Sequence, residues 1–112
     1  MTRPRKLPGF AKCLREMRSR DPQKAEDAFS MLSSRAAEFV PELIEAFSSE
    51  SDHGVRCWIL ELLGDARDPC TMDLFVPLLQ SDDESFRDWA VAGLRALDSK
   101  EARRILWERG IK

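Results

Sequence analysis

A repeat of 31 residues constrains this chain more than anything else in its sequence. Val55-Arg56 returns as Phe86-Arg87, Trp58 as Trp89, Leu63 as Leu94, Leu74 as Ile105 and Phe75 as Leu106. Asp21, Asp52 and Asp83 share one offset. A fixed period of this length marks stacked helical hairpins, because one such unit cannot bury its apolar face alone.

Aligned on the period, the chain reads as one domain, 1–112. A basic arm and cap helix occupy 1–21, and three units follow at 22–52, 53–83 and 84–112. In the first half of each unit the apolar columns are Ala28/Ile59/Ala90, Met31/Leu62/Gly93, Leu32/Leu63/Leu94 and Arg35/Ala66/Leu97. Their steps of 3, 1 and 3 trace the stripe of an amphipathic helix and not the alternation of a strand. In the second half the columns are Leu43/Leu74/Ile105 and Ile44/Phe75/Leu106, then Phe47/Leu78, where the last unit has Arg109.

The punctuation agrees with two helices per unit. Asp21-Pro22 and Asp68-Pro69 each place a capping carboxylate before a proline at the first helical position. Ser99, in the Asp68 column, is placed to cap the last helix, and Ser81 with Glu84 has capping-box spacing. Gly64 and Gly110 fall near expected helix ends, whereas Pro77 falls inside a helix and should kink or shorten it. Phe10, Leu14 and Met17 predict one extra helix over about residues 8–19, covering the exposed end of the first unit as solenoid caps do.

Charge divides the chain. Residues 1–20 carry seven basic side chains against Glu16, while 21–112 carry 11 basic and 19 acidic ones, so +6 faces −8. An acidic body argues against an extended nucleic-acid groove on the stack. No apolar stretch approaches the roughly 18 residues of a membrane span, and the basic start lacks the apolar segment of a secretory signal. Cys13, Cys57 and Cys70 have no C-x-x-C spacing and His53 stands alone, so no zinc-finger type of metal site assembles. No cofactor is expected, and the thiols are read as free in a reducing cytoplasm.

The second unit reads D-H-G-V-R-C-W-I-L-E-L-L-G-D and the third D-E-S-F-R-D-W-A-V-A-G-L-R-A-L. On these residues the chain resembles HEAT repeats of the short, PBS-lyase-like type. The likeness is strong in units two and three and weaker in the first, which has Lys24-Ala25 at the V-R position. The resemblance implies an all-α, right-handed α-solenoid of about three HEAT-like hairpins with an N-terminal capping helix. It also implies that Arg56 and Arg87 tie units together through acids at the turns, with Asp52, Asp68 and Asp83 as the partners. Trp58 and Trp89, where the family favours small residues, are expected to fill the seams between units. The lyase chemistry in the type's name is not implied by the repeat.

Solenoids of this type resemble each other in using the second helices as a binding wall. Its outward columns here are Glu42/Asp73/Arg104, Glu45/Val76/Trp107 and Pro41/Met72/Arg103. Down the stack the wall runs from acidic through apolar to basic with an aromatic, which suits a protein partner of mixed charge. Trp107 is the expected exposed anchor. Cys57 and Cys70 read as small core residues, His53 as a solvated turn residue, and no relay for nucleophilic catalysis is evident, so no enzyme is expected. The expected function is therefore a non-enzymatic protein-interaction module. One form would be a small cytoplasmic inhibitor or immunity protein of the bacterial type, and a homodimer through the C-terminal unit is a further expectation. The weaker alternative is anion binding by Arg5, Lys6, Arg15 and Arg18, toward nucleic acid or an anionic membrane.

Overall fold

A computed structural model describes residues 9–111; Arg5 and Lys6 of the anion-binding alternative lie outside the described residues. Among the described residues every regular element is helical. Helix α1 (Phe10–Glu16) precedes three hairpins: α2 (Pro22–Ser33) with α3 (Val40–Ser49), α4 (His53–Ala66) with α5 (Met72–Leu78), and α6 (Glu84–Leu97) with α7 (Lys100–Glu108). Helix α4 lies against both α2 and α6, while α3 packs on α4, α5 on α6 and α7 on α6. The result measures 43 × 35 × 21 Å, and its short axis is that of two helix diameters. This is the all-α stack of hairpins that the period predicts.

The first helices begin alike because the period repeats their caps. The side chains of Asp21, Asp52 and Asp83 accept from backbone N–H groups in the first turns of α2, α4 and α6. Each capping residue's own N–H is taken in turn by the side chain two positions earlier: Ser19 for Asp21, Glu50 for Asp52 and Ser81 for Asp83. Ser81 therefore serves as a turn residue ahead of the cap and not as the cap of a capping box. Ser99 accepts from the Ala102 amide and caps α7 as expected. Helices α4 and α6 also end alike, on Arg67 at φ 51° and Asp98 at φ 49°, one period apart. Gly64 lies inside α4, and Gly110, at φ 76°, follows α7.

The core lies between the layers. Ala28, Ile59 and Ala90 are buried as one column, and Leu32, Leu63 and Leu94 as another. On the second helices the consistently buried column is Val40/Thr71/Ala102, one turn ahead of the expected ones. Thr71 is tolerated there because its hydroxyl donates to the Asp68 carbonyl at 2.7 Å. Gly93 is fixed by packing: a methyl group on it would fall inside the envelope of the Phe75 ring.

Several expectations fail. Met31 is 55% exposed, because α2 ends after Ser33 and a 3-10 turn at Ala36–Phe39 replaces the left-handed break of the later units. On α1 the buried stripe is Phe10, Cys13 and Met17, with Leu14 only half-buried, and Phe10 stacks on Phe39 at 4.8 Å. Cys70 is exposed and Cys57 half-buried, so neither is a fully buried core residue. Pro77 behaves as expected: α5 has 7 residues where α3 has 10 and α7 has 9.

Candidate protein-binding face

The second helices carry the expected partner-binding residues, but the fold sorts them into separate grooves. On α7, Ala102 and Leu106 turn into the core, Glu101 and Ile105 face α5, and Arg103 and Trp107 lie on the opposite flank. Helix α5 repeats the arrangement with Thr71 and Phe75 inward and Met72, Asp73 and Val76 toward α7. A groove of about 430 Å³ runs between α5 and α7, lined by Pro69, Met72, Asp73, Val76, Pro77, Glu101 and Ile105. A second, of about 300 Å³, lies between α1 and α3 and contains Glu42 and Glu45 above Phe10, Leu14 and Ala46. A third, of about 610 Å³, is formed by Arg95, Asp98, Arg103, Leu106, Trp107 and Ile111. Trp107 is 79% exposed, the most open large apolar side chain among the described residues. The wall of three expected columns is thus three grooves, since neighbouring second helices stand apart.

Charge on this face differs from the expected gradient. Arg103 is bound to the Asp98 carboxylate at 2.9 Å and to its carbonyl, and Arg104 pairs with Glu108 at 3.2 Å. The basic end of the wall is therefore largely neutralised within its own unit. Arg18, one of the anion-binding candidates, is engaged by Glu50, with its Nε 2.8 Å from the carboxylate. That hydrogen bond, with help from the Asp52 amide and against the effect of burial, holds the Glu50 carboxyl below the usual range. Arg18 is thus a clamp between the cap helix and the end of α3, while Arg15 remains on the exposed face of α1.

The repeated arginines join units, but through carbonyls and rings. Arg56 donates to the Phe47 carbonyl at 3.2 Å and lies 4.1 Å from the Phe47 ring and 5.0 Å from that of Phe86. Arg87 donates to the Ser81 carbonyl at 2.6 Å. Asp52, Asp68 and Asp83 are occupied as caps instead. Trp58 packs on Phe29 of the preceding first helix at 5.0 Å, and Trp89 is half-buried against the core, so both sit in seams without stacking on each other.

His53 is solvated as expected, its side chain 54% exposed, but it opens α4 and makes contacts across to the next unit. Its Nε2 lies 2.9 Å from Asp83, and its ring stacks on Phe86 at 5.2 Å, which pins the start of α4 to the start of α6. The stacking itself is the signal that would have found it, since the first residue of one first helix lies beside the cap of the next. Burial alone would raise the Asp83 carboxyl, but the Phe86 amide and His53 together hold it below the usual range. Cys57 comes within 4.0 Å of the same Nε2. One nitrogen faces both groups, so the ring cannot relay a proton from thiol to carboxylate. Burial and the Asp83 charge push the thiol up, against thiolate formation.

The hairpins, their caps and the seams define the architecture, and a family model settles its kind. The model for HEAT repeats matches residues 40–110, from α3 through α7. The chain belongs to the HEAT-repeat family. The matched stretch omits α1 and α2, and α2 has Lys24-Ala25 where the later units have V-R or F-R. HEAT repeats generally mediate protein–protein interaction, typically as non-enzymatic scaffolds. No curated protein and no solved structure matches the chain. No helix among the described residues is long and apolar enough to cross a membrane.

Proposed function

We propose that this chain is a protein-interaction module that takes its partner on the second-helix face, centred on the groove between α5 and α7. The observation that carries the reading is the half-buried state of Met72, Val76 and Ile105. These residues sit where neighbouring helices would close on one another in a tighter stack, yet they line an open trough. Apolar side chains held on rigid helices at the floor of a groove are what a partner's anchor residue fills at low entropic cost. Glu42 and Glu45 extend the face toward the cap helix, and Trp107 with Arg103 extends it at the other end.

The test is site-specific photo-crosslinking in nuclease-treated lysate of the native host. A crosslinker at Val76 should capture a protein, and one at Asp88, exposed on the first-helix layer, should not. Equal capture from both positions, or capture that disappears with nuclease, would overturn the reading.

A further inference from the structure

The groove between α5 and α7 has a chemistry that narrows its partner. Its floor is Met72, Val76, Pro77 and Ile105, and its two walls carry acids at opposite sides, Asp73 on α5 and Glu101 on α7. Both acids stand in first turns, where a negative charge also serves the helix dipole. Their position over an apolar floor gives them a second consequence. No base lines this groove.

The groove between α1 and α3 repeats the pattern, with Glu42 and Glu45 above Phe10 and Leu14, and its one base, Arg18, is engaged by Glu50. The nearest arginines of α7 are held by Asp98 and Glu108. Two of the three grooves, α5–α7 and α1–α3, are therefore apolar troughs with acidic rims, and a second copy meeting them through the same two grooves would bring like charges together.

We infer that the occupant of the α5–α7 groove is a cationic peptide segment of a partner protein, one apolar side chain seated on Val76 and Ile105 with flanking lysine or arginine on Asp73 and Glu101. The inference rests on the proposed interaction function and specifies its partner.

The experiment uses three fluorescein-labelled synthetic peptides of equal length: leucine flanked by Lys/Arg, leucine flanked by Glu, and the Lys/Arg peptide with serine for leucine. Fluorescence anisotropy with the full chain should show binding of the first alone, weakening as salt is raised. Asp73→Lys with Glu101→Lys, both at exposed positions, should reduce that binding by at least about tenfold and confer binding of the Glu peptide. Val76→Ser should weaken the first peptide by at least about tenfold while the chain stays folded, its melting temperature falling by only about 4–8 °C for a change at this half-buried position. Equal binding of the Glu or serine peptide, indifference to charge reversal, or no binding of the Lys/Arg–leucine peptide would overturn the inference. Self-association of the unliganded chain that Asp73→Lys abolishes would also overturn it, by making this chain's own basic residues the occupant. The proposed function fails separately, through the Val76 crosslink: a captured protein without peptide binding means that the face is right and the chemistry wrong.

Discussion

The two layers of this molecule are built to different standards of regularity. In the first-helix layer α2, α4 and α6 run 12, 14 and 14 residues, start on aspartate caps one period apart and pack side by side. In the second layer α3, α5 and α7 run 10, 7 and 9 residues, and α3 and α5 are each preceded by a 3-10 turn. They pack down on the first layer and leave grooves between themselves. The contrast separates the layer that holds the stack together from the layer proposed to take a partner. A layer that closes on itself holds the stack together, and a layer that stays open keeps apolar and charged groups available to a partner.

The sharpest way to break this comparison is to empty each layer in turn. Leu94 on α6 is fully buried, and Leu94→Ala should cost about 2–5 kcal/mol through lost transfer energy and a residual cavity. Ile105 on α7 is only half-buried, so Ile105→Ala should cost less, about 1–2 kcal/mol. Chemical denaturation of both variants measures the difference. Equal losses would mean that the second layer is as much core as the first.

Gly93 tests the contact between the layers. Alanine there gains helix propensity of about 1 kcal/mol, but its methyl collides with the fully buried Phe75 ring. Overpacking should win, for a net loss of about 1–3 kcal/mol. Phe75→Leu beside Gly93→Ala should recover part of it in a double-mutant cycle, since the two sites share one contact. A stabilising Gly93→Ala would show that α5 is loosely held over α6.

Next in size is the clamp that joins α1 to the end of α3. The side chain of Glu50 is only 5% exposed and accepts from Arg18 and from the Asp52 amide. Glu50→Gln should cost about 1–2 kcal/mol at neutral pH. The sign of its pH dependence follows from the direction of the shift. The folded carboxyl is depressed, so its contribution is fully present above the unfolded carboxylate pKa, about 4.3, and is lost as pH falls through the lower folded value. The melting temperature of the wild type should therefore fall more steeply on acidification below about pH 5 than that of Glu50→Gln. Parallel curves would place the wild-type acid sensitivity in other carboxylates, among them Asp83, which is depressed in the same direction.

The layers also differ in how legible they were. The first layer could be read because its determinants are local and repeat: an apolar stripe and an aspartate ahead of it return every 31 residues, and a seam tryptophan returns in the last two units. Of the three aspartates only Asp21 was legible as a cap. Met31 was misplaced because α2 is shorter and ends without the left-handed residue that closes α4 and α6, and no repeat predicts an exception. The partners of Arg56 and Arg87 were misread for a related reason. A cap commits a carboxylate to the backbone, which leaves carbonyls and ring faces for the guanidinium. In the second layer, sequence spacing located the outward residues but not their grouping, because the flank to which a residue belongs depends on how far apart the helices stand. Trp107 was legible as an exposed residue, and its separation from Val76 was not.

The smallest expected effect on stability falls in the layer proposed for recognition. Trp107 is 79% exposed, so Trp107→Ala should change unfolding free energy by less than about 0.5 kcal/mol, as open surface positions do. Val76→Ser, half-buried in the groove, should cost about 1 kcal/mol, still well below the loss at Leu94. If the second layer is the recognition surface, these two changes should separate in binding, with Val76→Ser weakening capture at the α5–α7 groove and Trp107→Ala affecting only a partner that reaches the α7 flank. Parallel loss of capture in both would mean that one partner spans both sides of α7, lying across the helix as well as along the groove. Loss in Trp107→Ala alone would move the interaction to the flank built by Arg95, Asp98, Arg103 and Ile111, where the Arg103–Asp98 pair offsets charge and Trp107 itself would be the anchor.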